Sequence, residues 1–163
     1  MIVLQNLPLT YSVRDIIDTV SKYGTIVVAE IFRNHTKAFY AKNSFTKKVS
    51  PYFAHIYFRD AESVAKILTK STERFGITIQ KQAVYPIHSS KHISLLLTNL
   101  PHDVGSYTLK NFLRKETDNN VTGFDIRSII FKRNIYDSSK YAHIEFTTHE
   151  AADTVYRSLL QNQ

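Results

Sequence analysis

The sequence predicts an α+β protein made of two βαββαβ units in tandem, the second lacking its last strand. Three observations predict it. Two phrases recur in the same order at nearly one offset. Each copy is followed by stretches of helical apolar spacing set among short β-branched or alternating runs. The length, 163 residues, suits two compact domains better than one.

The first phrase, Leu-x-Asn-Leu-Pro, runs from Leu4 to Pro8 and again from Leu97 to Pro101, an offset of 93. The second, aromatic-Ala-His-Ile-x-Phe, runs from Phe53 to Phe58 and again from Tyr141 to Phe146, an offset of 88. Two homologous domains explain both. The boundaries drawn from the pattern are 1–84 for the first, 85–92 for a linker with one proline and two serines, and 93–163 for the second.

In the first repeat, Ile2 to Asn6 is a short apolar run before Leu-Pro and reads as a buried strand. A helix follows. Ser12 is its cap, Asp15 is the acid of a capping box, and Val13, Ile16, Ile17 and Val20 keep helical spacing. Gly24 is its stop. Thr25 to Phe32 is β-branched and apolar, and Tyr52 to Phe58 alternates, so both read as strands. Asp60 caps a helix carrying Val64, Ile67 and Leu68. Ile77 to Val84 is the fourth strand. The order is the ferredoxin-like arrangement.

The second repeat begins with a strand at Ile93 to Thr98. Ser106 caps a helix presenting Leu109, Phe112 and Leu113. Strands are expected at Phe124 to Lys132 and at Lys140 to Phe146. Thr147 and Glu150 frame a capping box for a helix with Ala151, Ala152, Val155 and Leu159. No fourth strand follows, so one side of the first strand is expected to stand unpaired, an edge that invites pairing. The expectation is a truncated or irregular domain from a larger parent.

Composition narrows the function. Hydrophobic residues make up 43%, enough for packed cores. No run approaches the roughly 18 apolar residues of a membrane span, and no signal-peptide pattern opens the chain. There are no cysteines, which excludes disulfides and thiolate metal sites. The formal net charge is +7, which favours a polyanionic partner. The excess is uneven: residues 1–84 hold 12 Lys+Arg against 6 Asp+Glu, a net of +6, while residues 85–163 hold 9 against 8, a net of +1. Seven histidines contain no i, i+4 pair on a helix, so no metal site is expected. No phosphate loop, nucleophile elbow or close acid pair points to an enzyme or a cofactor, and no small-molecule substrate is implied.

The recurring phrases resemble the two signature motifs of the RNA-recognition motif family. The hexamers are Ile2 to Leu7 and Leu95 to Leu100, and the octamers are Pro51 to Phe58 and Ser139 to Phe146. The resemblance covers the whole first repeat and all of the second but its last strand. By strand alternation, Ala54, Ile56 and Phe58 face the helices, as do Ala142, Ile144 and Phe146. Phe53, His55 and Tyr57 face outward, as do Tyr141, His143 and Glu145.

The resemblance implies single-stranded RNA stacked on these outward faces, in a nuclear or cytoplasmic setting of RNA processing or messenger-RNA regulation. Several residues depart from the family pattern. Pro51 and Ser139 stand where the octamer opens with a basic residue, with Lys140 next door. His55 and His143 replace the second stacking aromatic. Val3 and Leu96 stand where the hexamer offers an outward aromatic, beside Gln5 and Thr98. Each face is therefore expected to offer two stacking side chains rather than three.

Other candidates are weaker. The segment from Arg33 to Ser50 carries Lys42, Lys47 and Lys48 among aromatics, a pattern that suits phosphate contact with stacking or an ordinary solvated loop. Gln80 and Gln82 are candidates for base edges, and Arg127 and Lys140 for phosphates. One alternative is that Phe53 and Tyr141 are covered by a linker, loop or neighbouring domain. Another is that one or both repeats bind protein.

Overall fold

The computed structural model describes residues 1–33, 50–73, 76–88 and 94–161. The chain divides into two compact units, Met1–Ser90 and Lys91–Gln163.

The first unit opens with β1 (Ile2–Gln5), α1 (Val13–Val20) and a 3-10 turn (Ser21–Tyr23). It continues through β2 (Ile26–Arg33), β3 (Tyr52–Phe58), α2 (Ala61–Ser71), β4 (Ile77–Ile79) and β5 (Gln82–His88). Its sheet has the order β2-β3-β1-β5-β4. This is the expected βαββαβ arrangement with one strand, β4, added at its edge against β5. Ile2, Leu4, Ile16, Val20, Ala54, Ile56 and Ile67 form the buried core between sheet and helices. Each such aliphatic side chain contributes about 1.5–3 kcal/mol on full burial.

Both predicted N-caps hold. Ser12 Oγ accepts from the Asp15 N–H at 3.0 Å, and Asp60 Oδ1 accepts from the Ser63 N–H at 2.7 Å. The Asp15 carboxylate, expected in a capping box, instead accepts from Gln80 Nε2 at 2.9 Å. Gly24 ends the 3-10 turn and not α1, whose C-cap is Ser21, and glycine is required there for another reason. A Cβ there would stand 1.8 Å from Ser63 Oγ, so only glycine lets α2 approach this closely.

The expected strand from Ile77 to Val84 is two strands. Gln80 (φ 50°) and Lys81 (φ 64°) both lie in the left-handed region. That is the signature of a two-residue hairpin turn, usually formed by Asn or Gly. Here side-chain bonds hold it without them. Gln80 Nε2 donates to the Thr10 carbonyl at 2.9 Å and to Asp15, and Thr10 Oγ1 donates back to Gln80 Oε1 at 3.0 Å.

The linker expectation at 85–92 also changes, because Tyr85 to His88 belong to β5 and pair with β1. Pro86 lies opposite Leu4. β4 pairs only with Gln82, Ala83 and Val84, so Pro86 lies on a stretch of β5 beyond that ladder. There its missing N–H interrupts no described hydrogen bond.

The second unit runs β6 (Ser94–Leu100), α3 (Ser106–Glu116), a 3-10 turn (Gly123–Asp125), β7 (Ile126–Arg133), β8 (Lys140–Phe146) and α4 (His149–Gln161). Its sheet has the order β6-β8-β7. Among the described residues β6 pairs on one side only. The cap positions shift by one residue from expectation. Gly105 rather than Ser106 precedes α3. Thr148 rather than Thr147 caps α4, accepting from the Ala151 N–H at 3.2 Å. Leu109, Leu113, Ala142, Ile144, Phe146 and Val155 form its core. Phe112 is exposed instead of joining them.

The recurring asparagine has a backbone role. Asn6 (φ 61°) and Asn99 (φ 56°) both adopt the left-handed conformation, which asparagine tolerates better than most residues. Asn6 then ties the end of β1 to β5 and to the residues that lead into β3. Its Nδ2 donates to the Ala83 carbonyl at 2.8 Å and its Oδ1 accepts from the Ser50 N–H at 2.9 Å. Gln82 Nε2 donates to the Asn6 carbonyl at 2.9 Å.

Candidate nucleic-acid interface

The candidate interface is the sheet face of the first unit that lies away from the helices. Antiparallel register fixes its members. Val3 is opposite His55 on β3 and opposite Ile87 on β5. Gln5 is opposite Tyr85. On the other side of β3, Glu30, Phe32 and Val28 are opposite His55, Phe53 and Tyr57. Alternation places all of these on one face, because Leu4, Ala54 and Ile56 point into the core.

Three rings form a contiguous aromatic cluster. Phe32 and Phe53 stack at 5.4 Å between centroids with a 23° interplanar angle. His55 lies 4.7 Å from Phe32 and 5.7 Å from Phe53. Phe53 and His55 are half-buried rather than fully exposed.

The face is uneven. On its β2 side, Val28 is buried and Glu30 is 6% exposed. Burial, with the Glu30 charge as the lesser cause, pushes the Tyr57 hydroxyl well above the ordinary tyrosine range. Tyr57 is therefore a neutral donor throughout the working pH range. On the β5 side, Tyr85 is 56% and Ile87 47% exposed.

The expected site residues divide accordingly. Val3, Gln5, Phe53, His55 and Tyr57 are brought together. Gln80 and Gln82 are not, since one holds the β4–β5 turn and the other binds the Asn6 backbone. Lys42, Lys47 and Lys48 lie outside the described residues.

The matching face of the second unit is built differently. Leu96, His143 and Ile130 form one cross-strand row. Tyr141, expected to stand outward and accessible, is only 1% exposed, although it is not part of the core cluster. Its ring lies 5.7 Å from that of His143. Tyr141 is therefore buried, whereas Phe53 is half-buried.

Lys140 does not serve this face either. Its ammonium donates to the carbonyls of His102 at 2.9 Å and Val104 at 2.6 Å, and sits 4.6 Å from the centroid of the core-facing Phe131 ring. Arg127 Nη1 pairs with Glu145 at 3.2 Å, next to the bulge between Ile126 and Ser128. Thr98 is half-buried near a second irregularity, between Leu97 and Leu100.

Two members of the first face were missed by sequence reasoning. Phe32 ends the strand expected at Thr25 to Phe32, and its place opposite Phe53 comes from the register. Tyr85 falls within the expected linker at 85–92, a stretch with one proline and two serines. Val84 is buried, so alternation carried through the proline sets Tyr85 and Ile87 outward, opposite in parity to Gln82, which was expected to face bases. Among the described residues no three His, Asp or Glu side chains stand together as a metal site requires, and no helix is long and apolar enough to cross a membrane.

No family model matches the chain, and no curated protein does. Among solved structures, it is similar to the N-terminal three RNA-binding domains of the yeast splicing factor Prp24. There the identity is 20% over 98% of this chain and 56% of the other, with a TM-score of 0.42. It is similar to the Sex-lethal RNA recognition domains 1 and 2 of Drosophila melanogaster, at 16% identity over 97% and 92% of the two chains and a TM-score of 0.40. It is also similar to the first two RRM domains of the yeast poly(U)-binding protein Pub1, at 17% identity over 96% and 88% and a TM-score of 0.36. The chain spans just over half of the Prp24 fragment. These likenesses are too distant to carry function across.

Proposed function

We propose that the chain binds single-stranded RNA through the open sheet face of its first unit. One observation supports this above the others: the ring cluster of Phe32, Phe53 and His55 on the face that points away from the helices. Nucleobases stack on such rings at roughly 1–3 kcal/mol per base. The net +6 of residues 1–84 adds a phosphate-directed attraction. In this reading the protein binds rather than catalyses, and it serves RNA processing or post-transcriptional regulation in the nucleus or cytoplasm.

A second reading concerns the second unit alone. Its Tyr141 is buried, while Ile130 is 52% exposed on the same face. A buried aromatic beside an exposed aliphatic favours a protein contact there, so the second unit acts as an auxiliary surface.

The test is a fluorescence-anisotropy titration of a labelled single-stranded RNA pool at two salt concentrations. Wild type is compared with Phe53→Ala, with circular dichroism to check folding. The expected result is salt-dependent binding and a folded variant weakened by about 1–3 kcal/mol. A folded Phe53→Ala that binds like wild type would overturn the reading.

A further inference from the structure

We infer that Tyr85 on β5 supplies the stacking ring that β1 lacks, holding a nucleobase of its own beside the one on Phe53. The inference rests on the RNA-binding reading of this face and extends it to a strand outside both signature phrases.

Three observations carry it. The first is a vacancy in aromatic character at the centre of the sheet. The outward residues of β1 are Val3 and Gln5, neither of which stacks a base as a ring does. The second is register. Gln5 is opposite Tyr85, and the antiparallel continuation of the Leu4–Ala54 pair sets Gln5 beside Phe53 on the other flank. Phe53, Gln5 and Tyr85 thus form one row across β3, β1 and β5. Neighbouring strands are about 4.8 Å apart, so the two aromatic positions are roughly 10 Å apart with Gln5 between them. A base lying flat on one ring leaves the other ring for a second base.

The third observation is accessibility. The β2 side of the face is closed at Val28 and Glu30, both buried, whereas the β5 side is open. Tyr85 and Ile87 are large, apolar-bodied side chains left 56% and 47% exposed in adjacent outward positions of one strand. A strand crossing the face from β3 therefore runs over β1 toward β5. Its path meets an aromatic ring at Phe53, an amide that can hydrogen-bond a base edge at Gln5, and a second ring at Tyr85. The ligand class is unpaired RNA. Duplex RNA keeps its bases stacked on one another and offers nothing to either ring.

The test uses the full chain and a labelled mixed-sequence single-stranded RNA. Affinity is measured for wild type, Phe53→Ala, Tyr85→Ala, Tyr85→Thr and Tyr85→Phe. The side chain is more than half exposed, and threonine retains strand preference, so at least one truncation remains folded for measurement. The expected result is a loss of roughly 5- to 150-fold for the folded truncations, with Tyr85→Phe close to wild type. If Phe53→Ala loses affinity and the Tyr85 truncations do not, the inference fails and the RNA reading stands. If Tyr85→Phe loses as much as Tyr85→Ala, the hydroxyl and not the ring makes the contact, and the stacking inference fails. If no variant loses affinity, the RNA reading fails with it.

Discussion

The two units share the phrase aromatic-Ala-His-Ile-x-Phe and use it differently. In the first, Phe53 opens a three-ring cluster on a face that remains accessible toward β5. In the second, the equivalent Tyr141 is buried, and neighbouring Lys140 is turned to the opposite side to hold the loop before α3. The inward positions are alike: Ala54 and Ile56 match Ala142 and Ile144, all fully buried. A shared motif thus fixes the strand and its core-facing side. What the outward side does depends on neighbours that the motif does not contain.

The largest test of this contrast is paired truncation. Tyr141→Ala removes a buried ring and should cost the second unit about 3–5 kcal/mol of stability. Phe53→Ala should leave the first unit folded and cost binding instead. Urea titration followed by near-UV circular dichroism reads the first effect. Equal stability losses in the two variants would erase the distinction.

A smaller contrast lies at the two glycines near the β2 and β7 entries. Gly24 faces Ser63 so closely that an added methyl overlaps it, whereas a Cβ at Gly123 meets nothing nearer than Lys110 Cδ at 3.9 Å. Gly24→Ala should destabilise by about 1–3 kcal/mol as overpacking does, and Ser63→Gly in the same chain should recover part of it. Gly123→Ala should be near neutral. Thermal melts of the three variants beside wild type decide the order.

The helix caps give the smallest contrast, and it depends on pH. The backbone and side-chain hydrogen bonds from Ser63 hold the Asp60 carboxyl below the ordinary carboxylate range. A depressed folded value means the contribution is fully present above the unfolded value of about 4, and is lost as pH falls through the folded one. The corresponding cap of α4 is Thr148, which does not titrate. Acidification should therefore loosen the start of α2, and Asp60→Asn, which caps equally well, should flatten that dependence. Amide hydrogen exchange at Ser63 across pH 2–5 measures it.

Much of this was legible in the sequence. Alternation within the two octamers assigned Ala54, Ile56, Phe58, Ala142, Ile144 and Phe146 inward, but Lys140, expected at phosphates, also lies on that side, and the caps at Ser12 and Asp60 followed from their spacing. The hairpin at Gln80 and Lys81 was not legible. Its left-handed turn contains neither Asn nor Gly and is stabilised through Thr10 and Asp15, about 70 residues away in sequence. The path of β5 was hidden by Pro86, a residue that argues against a strand until one knows that β4 ends before it. Outward accessibility was the least legible property. Alternation says which side a residue is on, and only tertiary packing says whether that side is covered, as Tyr141 shows.

The most direct test of the central claim is a two-dimensional amide NMR titration of the intact chain with unlabelled single-stranded RNA. The account predicts that the largest shifts fall on β1, β3 and β5 of the first unit, around Val3, Gln5, Phe53, His55 and Tyr85, with smaller changes in the second. Shifts confined to the second unit, or to the helical side of the first, would contradict it.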